Sequence, residues 1–224
     1  KLHIEAYKKG FGADTFVGNT LVSMYGKWGY VSDAENVFQG LVKRDVVSWN
    51  AMLCTYVENG FVRKAILLYR QMQEEGVITD AHTLVYALQA SANLVGKEDF
   101  DVKSNSEQKN DSEIGKALHA YARRKGFTST NIFVVNTIIG MYGKCGAPGK
   151  AQKAFEELPE RNVVSWTSLI GSYSRQGLVH QAMECFQEMQ AEGISPNAVT
   201  FVCILKACGT LESIELREQI LVDA

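Results

Sequence analysis

The sequence predicts an all-α fold in which helical hairpins stack side by side as an α-solenoid. Segments repeat at one constant offset, and within each copy apolar residues recur at helical spacing between glycines. The composition agrees, because 46% of the residues are hydrophobic and only three prolines interrupt possible helices. A single hairpin cannot bury its own apolar face, so such a fold needs several stacked hairpins.

The repeat is visible in three pairs of segments separated by roughly 117 residues. About 25 of about 62 positions are identical between residues 15–76 and 132–193, far more than chance gives. The pairs are FVGNTLVSMYGKWG (16–29) with FVVNTIIGMYGKCG (133–146), VVSWNAML (46–53) with VVSWTSLI (163–170), and QMQEEG (71–76) with EMQAEG (188–193). In addition, LHIEAYKKGF (2–11) resembles LHAYARRKGF (118–127).

Each copy itself contains two helical hairpins. Apolar faces at helical spacing end at Gly29, Gly60 and Gly76, where a left-handed backbone conformation would end a helix. Large aromatic residues fit the same apolar periodicity, so we expect them in the core: Trp49, Trp166, Tyr25 and Tyr142. We also expect His3 and His119 to pack between hairpins.

These motifs resemble those of a known family. N-x-[LI]-x-x-M-Y-x-K-x-G at 19–29 and 136–146 resembles the short repeat of plant pentatricopeptide repeat proteins. V-V-S-W at 46–49 and 163–166 resembles the start of their standard repeat, and G-x-x-L-H at 115–119 resembles their long repeat. The succession of long, short and standard repeats along the chain matches the mixed-length subfamily of land plants. This resemblance implies a right-handed α-solenoid. A tetratricopeptide array fits less well, because its W-x-x-L-G-x-x-Y pattern is missing from the sequence.

The resemblance implies seven repeat segments: the end of a long repeat (1–14), short (15–45), standard (46–80), long (81–131), short (132–162), standard (163–197) and a partial long repeat (198–224). The chain is therefore expected to be a fragment. The second long repeat carries about 15 additional residues near 98–112, which are polar and acid-rich and are expected to form a solvated loop. A genuine insertion and a segment foreign to the mature protein both remain open.

The resemblance implies binding of single-stranded RNA at about one base per repeat, read by two side chains. One lies a turn into the first helix of a hairpin, and the other precedes the next hairpin. We call the resulting residues the four register pairs: Asn19/Asp45, Asn50/Asp80, Asn136/Asn162 and Thr167/Asn197. Val85 and Val202 hold the first position of the long repeats.

Family preferences imply uracil for Asn with Asp, a pyrimidine for Asn with Asn, and adenine for Thr with Asn. The expected footprint is therefore about 5′-UUNYA-3′. The residues expected to sandwich bases by apolar contact are Val17, Val47, Val134 and Val164. Contacts to phosphates are expected from Lys27, Lys144 and Arg175. The resemblance also implies a role in organellar RNA editing or processing, with editing or processing proteins as partners, in a mitochondrion or chloroplast.

Two alternatives stand beside this interpretation. Taken singly, Asn19, Asn50 and Asn136, like Asp45 and Asp80, could be helix caps that satisfy free backbone N–H groups. The array could also be a protein-binding scaffold, or a truncated fragment without function.

Other classes of protein are disfavoured by the sequence. The near-neutral net charge of −2 lacks the strong basicity of many nucleic-acid-binding domains, so any RNA site depends on where the charges lie. No enzyme is expected, because G-x-S-x-G, H-E-x-x-H and the C-x-x-C that must follow H-x-E in zinc deaminases do not occur. We also expect no metal, cofactor, small-molecule substrate or membrane span, and an odd number of cysteines suggests reduced thiols.

Overall fold

The computed structural model describes residues 2–94 and 105–209 and divides the chain into two compact units, Lys1–Leu94 and Val95–Ala224. In the described residues every regular element is helical, which confirms the predicted all-α fold. Unit 1 contains α1 (Leu2–Lys8), a 3-10 turn (Phe11–Ala13), α2 (Thr15–Lys27), α3 (Val31–Gly40), α4 (Val46–Glu58), α5 (Val62–Glu74) and α6 (Ala81–Leu94). Unit 2 contains α7 (Asn105–Arg124), α8 (Phe127–Thr130), α9 (Ile132–Lys144), α10 (Pro148–Glu156), α11 (Val163–Arg175), α12 (Val179–Ala191) and α13 (Ala198–Gly209).

In the two short and the two standard hairpins, a short turn that contains a glycine joins the two helices. Gly29 between α2 and α3 and Gly60 between α4 and α5 both have φ of 77°, a conformation that other residues rarely adopt. Gly146 and Gly177 hold the equivalent turns of unit 2, each with φ of 68°. Gly76, which follows α5, has φ of 71°, so the expected helix ends at Gly29, Gly60 and Gly76 are confirmed.

The core lies between the helices of neighbouring hairpins. In unit 1 the first helices α2 and α4 pack together, and in unit 2 α9 packs on α11 and α11 on α13. Trp49 and Trp166 are 0% and 1% exposed and meet Phe38 and Phe155 edge-to-face, with centroid distances of 5.2 and 4.5 Å. The tryptophans are therefore core residues, as predicted, and they join the second helix of one hairpin to the first helix of the next.

The same histidine–tyrosine contact joins hairpins in both units. His3 Nδ1 lies 2.7 Å from the Tyr25 hydroxyl, and His119 Nδ1 lies 2.9 Å from the Tyr142 hydroxyl. Burial lowers the pKa of His119, which favours its neutral form in this contact. The expected packing of both histidines between helices is confirmed.

The expectation of a loop near 98–112 is wrong over its second half. Helix α7 begins at Asn105 and runs to Arg124, so residues 105–112 are helical. Residues 98–104 lie outside the described part of the chain. This stretch contains Glu, Gln and Lys, which are good helix formers, and α7 continues into the apolar pattern that follows. A polar composition alone therefore does not distinguish a helix from a loop.

No helix in the described ranges is long and apolar enough to cross a membrane. The five cysteines are free thiols, and no group of three potential metal ligands occurs among the residues that the structure describes.

Close approach of α9 and α11 depends on a glycine. A Cβ added to Gly143 would lie 2.9 Å from Ser172 Cβ and 3.0 Å from Ser172 Cα. Because a backbone atom is involved, the two helices must move apart, and we expect Gly143→Ala to lower the free energy of unfolding by about 1–3 kcal/mol. Gly140→Ala is the matched control, since nothing lies within 4 Å there and alanine should stabilise α9 by about 0.5–1 kcal/mol. Urea unfolding of both variants measures this difference, and equal stability of the two would contradict the packing.

Candidate nucleic-acid interface

The first members of the four register pairs occupy one position in four different helices. Asn19, Asn50, Asn136 and Thr167 are each the fifth residue of their helix: α2, α4, α9 and α11 respectively. They lie one turn inside the helix and do not cap it. The alternative that the three asparagines are N-caps is therefore wrong.

The true N-caps of these helices precede them by five residues. Their side-chain oxygens accept hydrogen bonds from backbone N–H groups of the first turn, and they are Asp14, Asp45, Asn131 and Asn162. Asp80 and Asn197 cap α6 and α13 in the same way, accepting from the N–H groups of Thr83 at 2.8 Å and Thr200 at 3.0 Å. The second member of every register pair is thus a helix cap. The alternative was right for Asp45 and Asp80, but capping does not prevent these carboxylates from contacting their pair partners.

The most complete pair is Asn50 with Asp80. Asn50 Nδ2 donates to Asp80 Oδ1 at 3.0 Å and to Asp80 Oδ2 at 3.1 Å. Asn50 Oδ1 in turn accepts from the Thr83 hydroxyl at 2.7 Å. Both ends of the Asn50 amide are therefore held, which sets the direction in which its donor and acceptor point.

The pairs that begin in the short hairpins are looser. Asn19 Nδ2 donates to Asp45 Oδ1 at 3.3 Å. The amide oxygens Asn19 Oδ1 and Asn136 Oδ1 are buried and have no hydrogen-bond partner within the described residues. Asn162 accepts from Val164 N and Ser165 N at 3.0 Å each, so its oxygen is engaged in capping α11.

The fourth pair is connected through a third residue. The Thr167 hydroxyl lies 2.7 Å from the Thr200 hydroxyl, and Thr200 Oγ1 donates to Asn197 Oδ1 at 3.1 Å. Thr200 is completely buried, whereas Asn197 is exposed. Thr83 in unit 1 and Thr200 in unit 2 hold equivalent positions, the third residue of the helix that follows each pair. The sequence analysis missed both; the signal was a threonine three residues after each cap.

Arginines immediately before two of the caps anchor these turns. The Arg44 guanidinium lies 4.9 Å from the Phe38 ring centroid and 5.9 Å from that of Trp49. Arg161 lies 4.8 Å from Phe155 and 5.8 Å from Trp166. Each cap is thereby attached to the core through a cation–π contact of its preceding residue.

The apolar residues expected to contact bases are only partly where the sequence analysis put them. Val47 and Val164 are 55% and 49% exposed at the second position of α4 and α11, but Val134 is 0% exposed and Val17 is half-buried. Val17 and Val134 are the third residues of their helices, and one residue along a helix is a rotation of about 100°, which turns Val134 into the core. Phe16 and Phe133 hold the second position instead, with 81% and 74% exposure. Counting three residues back from Asn19 and Asn136 would have identified them.

The two acidic caps that belong to register pairs, Asp45 and Asp80, have a lowered pKa. Burial raises the pKa of Asp45 and Asp80, but hydrogen bonds from Ser48 and Asn19, and from Thr83 and Asn50 respectively, outweigh burial. Each group is therefore a carboxylate at neutral pH, acceptor-only and negatively charged.

A lowered pKa in the folded state makes stability depend on pH. The contribution of Asp45 and Asp80 to the free energy of unfolding is fully present above the pKa of an unfolded aspartate, about 4. It is lost as the pH falls through the lower pKa of the folded state. We expect the double variant Asp45→Asn/Asp80→Asn to lose less unfolding free energy than the wild type between about pH 7 and about pH 3, because asparagine caps without titrating. Urea unfolding at the two pH values measures this, and equal losses would contradict it.

Comparison with known proteins identifies the repeats. A family model described as PPR repeat family matches residues 44–93 and 161–210, and one described as PPR repeat matches 19–46 and 133–163, which together cover more than half of the chain. Two Arabidopsis thaliana relatives are the pentatricopeptide repeat-containing proteins CRR2, chloroplastic, and DOT4, chloroplastic. Each is 36% identical over 93% of this chain, which covers 30% of CRR2 and 22% of DOT4. The chain thus spans less than a third of the length of these relatives.

Solved structures of the pentatricopeptide repeat protein PPR10 from maize are also similar. One is 19% identical, with a TM-score of 0.43 over 98% of this chain and 40% of the other. Another holds PPR10 in complex with an 18-nt psaJ RNA element, with 18% identity and a TM-score of 0.43 over 98% of this chain and 41% of the other. The family matches and the repeated helical hairpins agree: the chain belongs to the PPR, or pentatricopeptide repeat, family.

Proposed function

We propose that this chain binds single-stranded RNA, and that each register pair contacts one base. The observation that carries the proposal is the common position of the four pairs. In each, a short polar side chain is the fifth residue of a first helix, and its partner caps the helix that opens the next hairpin. Hydrogen bonds join Asn19 to Asp45 and Asn50 to Asp80, and Thr200 connects Thr167 with Asn197. All eight side chains are amides, hydroxyls or carboxylates. Such groups can meet the Watson–Crick edges of unstacked bases.

The exposed apolar residues at the second helical position support this proposal. Phe16 and Val47 in unit 1, and Phe133 and Val164 in unit 2, each precede a pair residue by three positions. Aromatic and aliphatic side chains of this kind can cover the faces of successive bases. Val17 and Val134 are replaced in this role by their exposed neighbours Phe16 and Phe133.

Cations near the ends of first helices are candidates for phosphate contacts. In unit 2 the positive charge of Arg175 acts on Lys144, whose pKa is lowered by burial first and by Arg175 second. Lys27 is the equivalent residue in unit 1. Its positive charge and the negative charge of Glu58 both act on the Cys54 thiol. Phosphate contacts from Lys27, Lys144 and Arg175 are expected to make RNA binding weaken as the salt concentration rises.

By analogy with relatives whose names include "chloroplastic", we place the whole protein in an organelle. Its wider role is proposed to be guiding RNA editing or processing with partner proteins, as a member of the mixed-length subfamily. The base-reading repeats in this chain would supply part of that recognition.

The first experiment is to measure the binding of the purified chain to a short single-stranded RNA containing UUNYA. The comparison set exchanges one specified base at a time, at fixed salt concentration. Preference for the unchanged RNA supports base readout. Equal binding to all sequences, by a chain shown to be folded, would reject it and favour a protein-binding scaffold.

A further inference from the structure

The two standard hairpins differ from the two short hairpins in how the pair residue is held. Asn50 and Thr167, the pair residues of the standard hairpins, each contact a buried threonine of the following helix, at 2.7 Å in both cases. In the helices that follow the short hairpins, the same helical position is occupied by Ser48 or Ser165. The hydroxyls of these serines donate to the caps Asp45 and Asn162 at 3.0 and 3.1 Å. Thr83 and Thr200 donate to their caps in the same way, at 2.9 and 3.1 Å, so the difference is the additional contact of each threonine to a pair residue.

The threonine hydroxyl in unit 1 supports the orientation of an amide that Asp80 also favours. A carboxylate only accepts hydrogen bonds, so the two contacts from Asn50 to Asp80 require Nδ2 to face Asp80. The opposite atom, Oδ1, then faces Thr83 Oγ1, whose proton can be donated to it. A flipped Asn50 would place its oxygen against a carboxylate and lose both contacts to Asp80. Its N–H₂ would then face Thr83 Oγ1, which would have to accept from Asn50 and give its proton to Asp80 Oδ1 at 2.9 Å.

In unit 2 the equivalent threonine sets the direction of a proton. Thr200 has one hydroxyl proton and two acceptors within reach, Thr167 Oγ1 at 2.7 Å and Asn197 Oδ1 at 3.1 Å. When Thr200 donates to Asn197, the Thr167 hydroxyl donates to Thr200 and presents only acceptor capacity to its surroundings. Such an acceptor suits the exocyclic N–H₂ of adenine.

We propose that Thr83 and Thr200 are positioning residues that determine base specificity at the standard hairpins. The proposal rests on the RNA-binding function proposed above and adds a third member to two of the four pairs. Uracil and cytosine exchange a donor and an acceptor along their Watson–Crick edges. An amide fixed in one orientation discriminates between them, and an amide free to flip discriminates less.

The test removes one hydroxyl at constant shape. Thr83→Val keeps a buried, β-branched side chain but cannot donate to Asn50, whereas Thr83→Ser keeps the hydroxyl. Binding is measured to UUNYA-containing RNA with uracil or cytosine at the second position, which Asn50/Asp80 is proposed to contact. We expect Thr83→Val to reduce the uracil-to-cytosine affinity ratio about fivefold to tenfold, and Thr83→Ser to restore it.

Ser48→Ala is the matched control for lost capping. It removes the equivalent hydroxyl, which donates to the cap Asp45 at the start of the first standard hairpin. The pair residue there, Asn19, has no hydrogen-bond partner for its Oδ1 among the described residues. We expect discrimination at the first position to be unchanged by Ser48→Ala. Circular dichroism and urea unfolding establish that each variant is folded. The side-chain amide NMR signals of Asn50 in the RNA-free protein should move in Thr83→Val and return in Thr83→Ser.

The outcomes separate this inference from the proposed function. A wild-type chain with no base preference at the second position rejects base readout and this inference together. A wild-type preference for uracil that persists in Thr83→Val overturns this inference alone. A loss of discrimination in Ser48→Ala as large as in Thr83→Val also overturns it, because loss of capping would then be sufficient.

Discussion

Asn50→Thr, with Asp80 unchanged, is expected to move the base preference at the second nucleotide of the footprint from uracil to guanine. In the wild type both oxygens of the Asp80 carboxylate lie within 3.0–3.1 Å of Asn50 Nδ2. Threonine has no N–H₂ group, so the carboxylate loses both of these contacts, while its Oδ1 still accepts from the Thr83 N–H and hydroxyl at 2.8 and 2.9 Å. The Watson–Crick edge of guanine carries two adjacent N–H donors that a carboxylate can accept, while uracil carries one. We expect a reversal of preference of about tenfold or more, since leaving such groups unpaired costs about 1–3 kcal/mol.

The reciprocal substitution in unit 2 provides the control. Thr167→Asn, with Asn197 unchanged, is expected to move the preference at the last nucleotide from adenine towards a pyrimidine. Competition binding with all four bases at each position measures both changes. The two substitutions should act independently, because the pairs share no residue. If Asn50→Thr changes affinity for all four bases equally, the pair does not read the base at that position.

The arrangement of helices was largely predictable because apolar spacing, glycines and capping residues are local properties of the sequence. The N-caps at Asp45 and Asn162 and the turns at Gly29 and Gly146 follow from such rules. Pairing between a helical residue and the next cap is not local: Asn50 and Asp80 are 30 residues apart. That relation came from the family resemblance, and no spacing rule alone supplies it.

The errors in the candidate site have a common physical origin. Val17 and Val134 resemble Val47 chemically, but their place in the helix is one residue later, and Val134 is buried as a result. Residue type was given more weight than helical register. Thr83 was missed for the opposite reason: a threonine near a helix start is ordinary as a capping residue. Only the 2.7 Å contact to Asn50 distinguishes Thr83 from an ordinary capping residue.

The largest effect on stability is expected from Trp166→Ala. Trp166 is 1% exposed, packs edge-to-face on Phe155, and donates from Nε1 to Glu192 Oε2 at 3.3 Å. Glu192 also pairs with Arg161 at 2.7 Å, and Arg161 lies over both aromatic rings. Truncation removes a large buried side chain, leaves a cavity, and deprives Arg161 of one ring. We expect a loss of about 3–5 kcal/mol in the free energy of unfolding.

Trp28→Ala is the control, because Trp28 is 64% exposed and its loss should change stability by less than about 0.5 kcal/mol. Urea unfolding followed by circular dichroism compares the two variants, and similar midpoints would contradict the assigned core.

A pair of milder substitutions tests the hydrogen bond separately. Trp49 Nε1 is buried with no partner among the described residues, whereas Trp166 Nε1 donates to Glu192. Replacement by phenylalanine removes an unpaired donor at 49 and a paired one at 166. Trp166→Phe should therefore cost more stability than Trp49→Phe by about 1 kcal/mol. The same carboxylate links the core to a cap, because Glu192 also accepts from Arg161 and Arg161 directly precedes Asn162. If Trp166→Phe also weakens base preference at the Asn136/Asn162 position while Trp49→Phe leaves it unchanged, the core contact positions the cap as well as stabilising the hairpins.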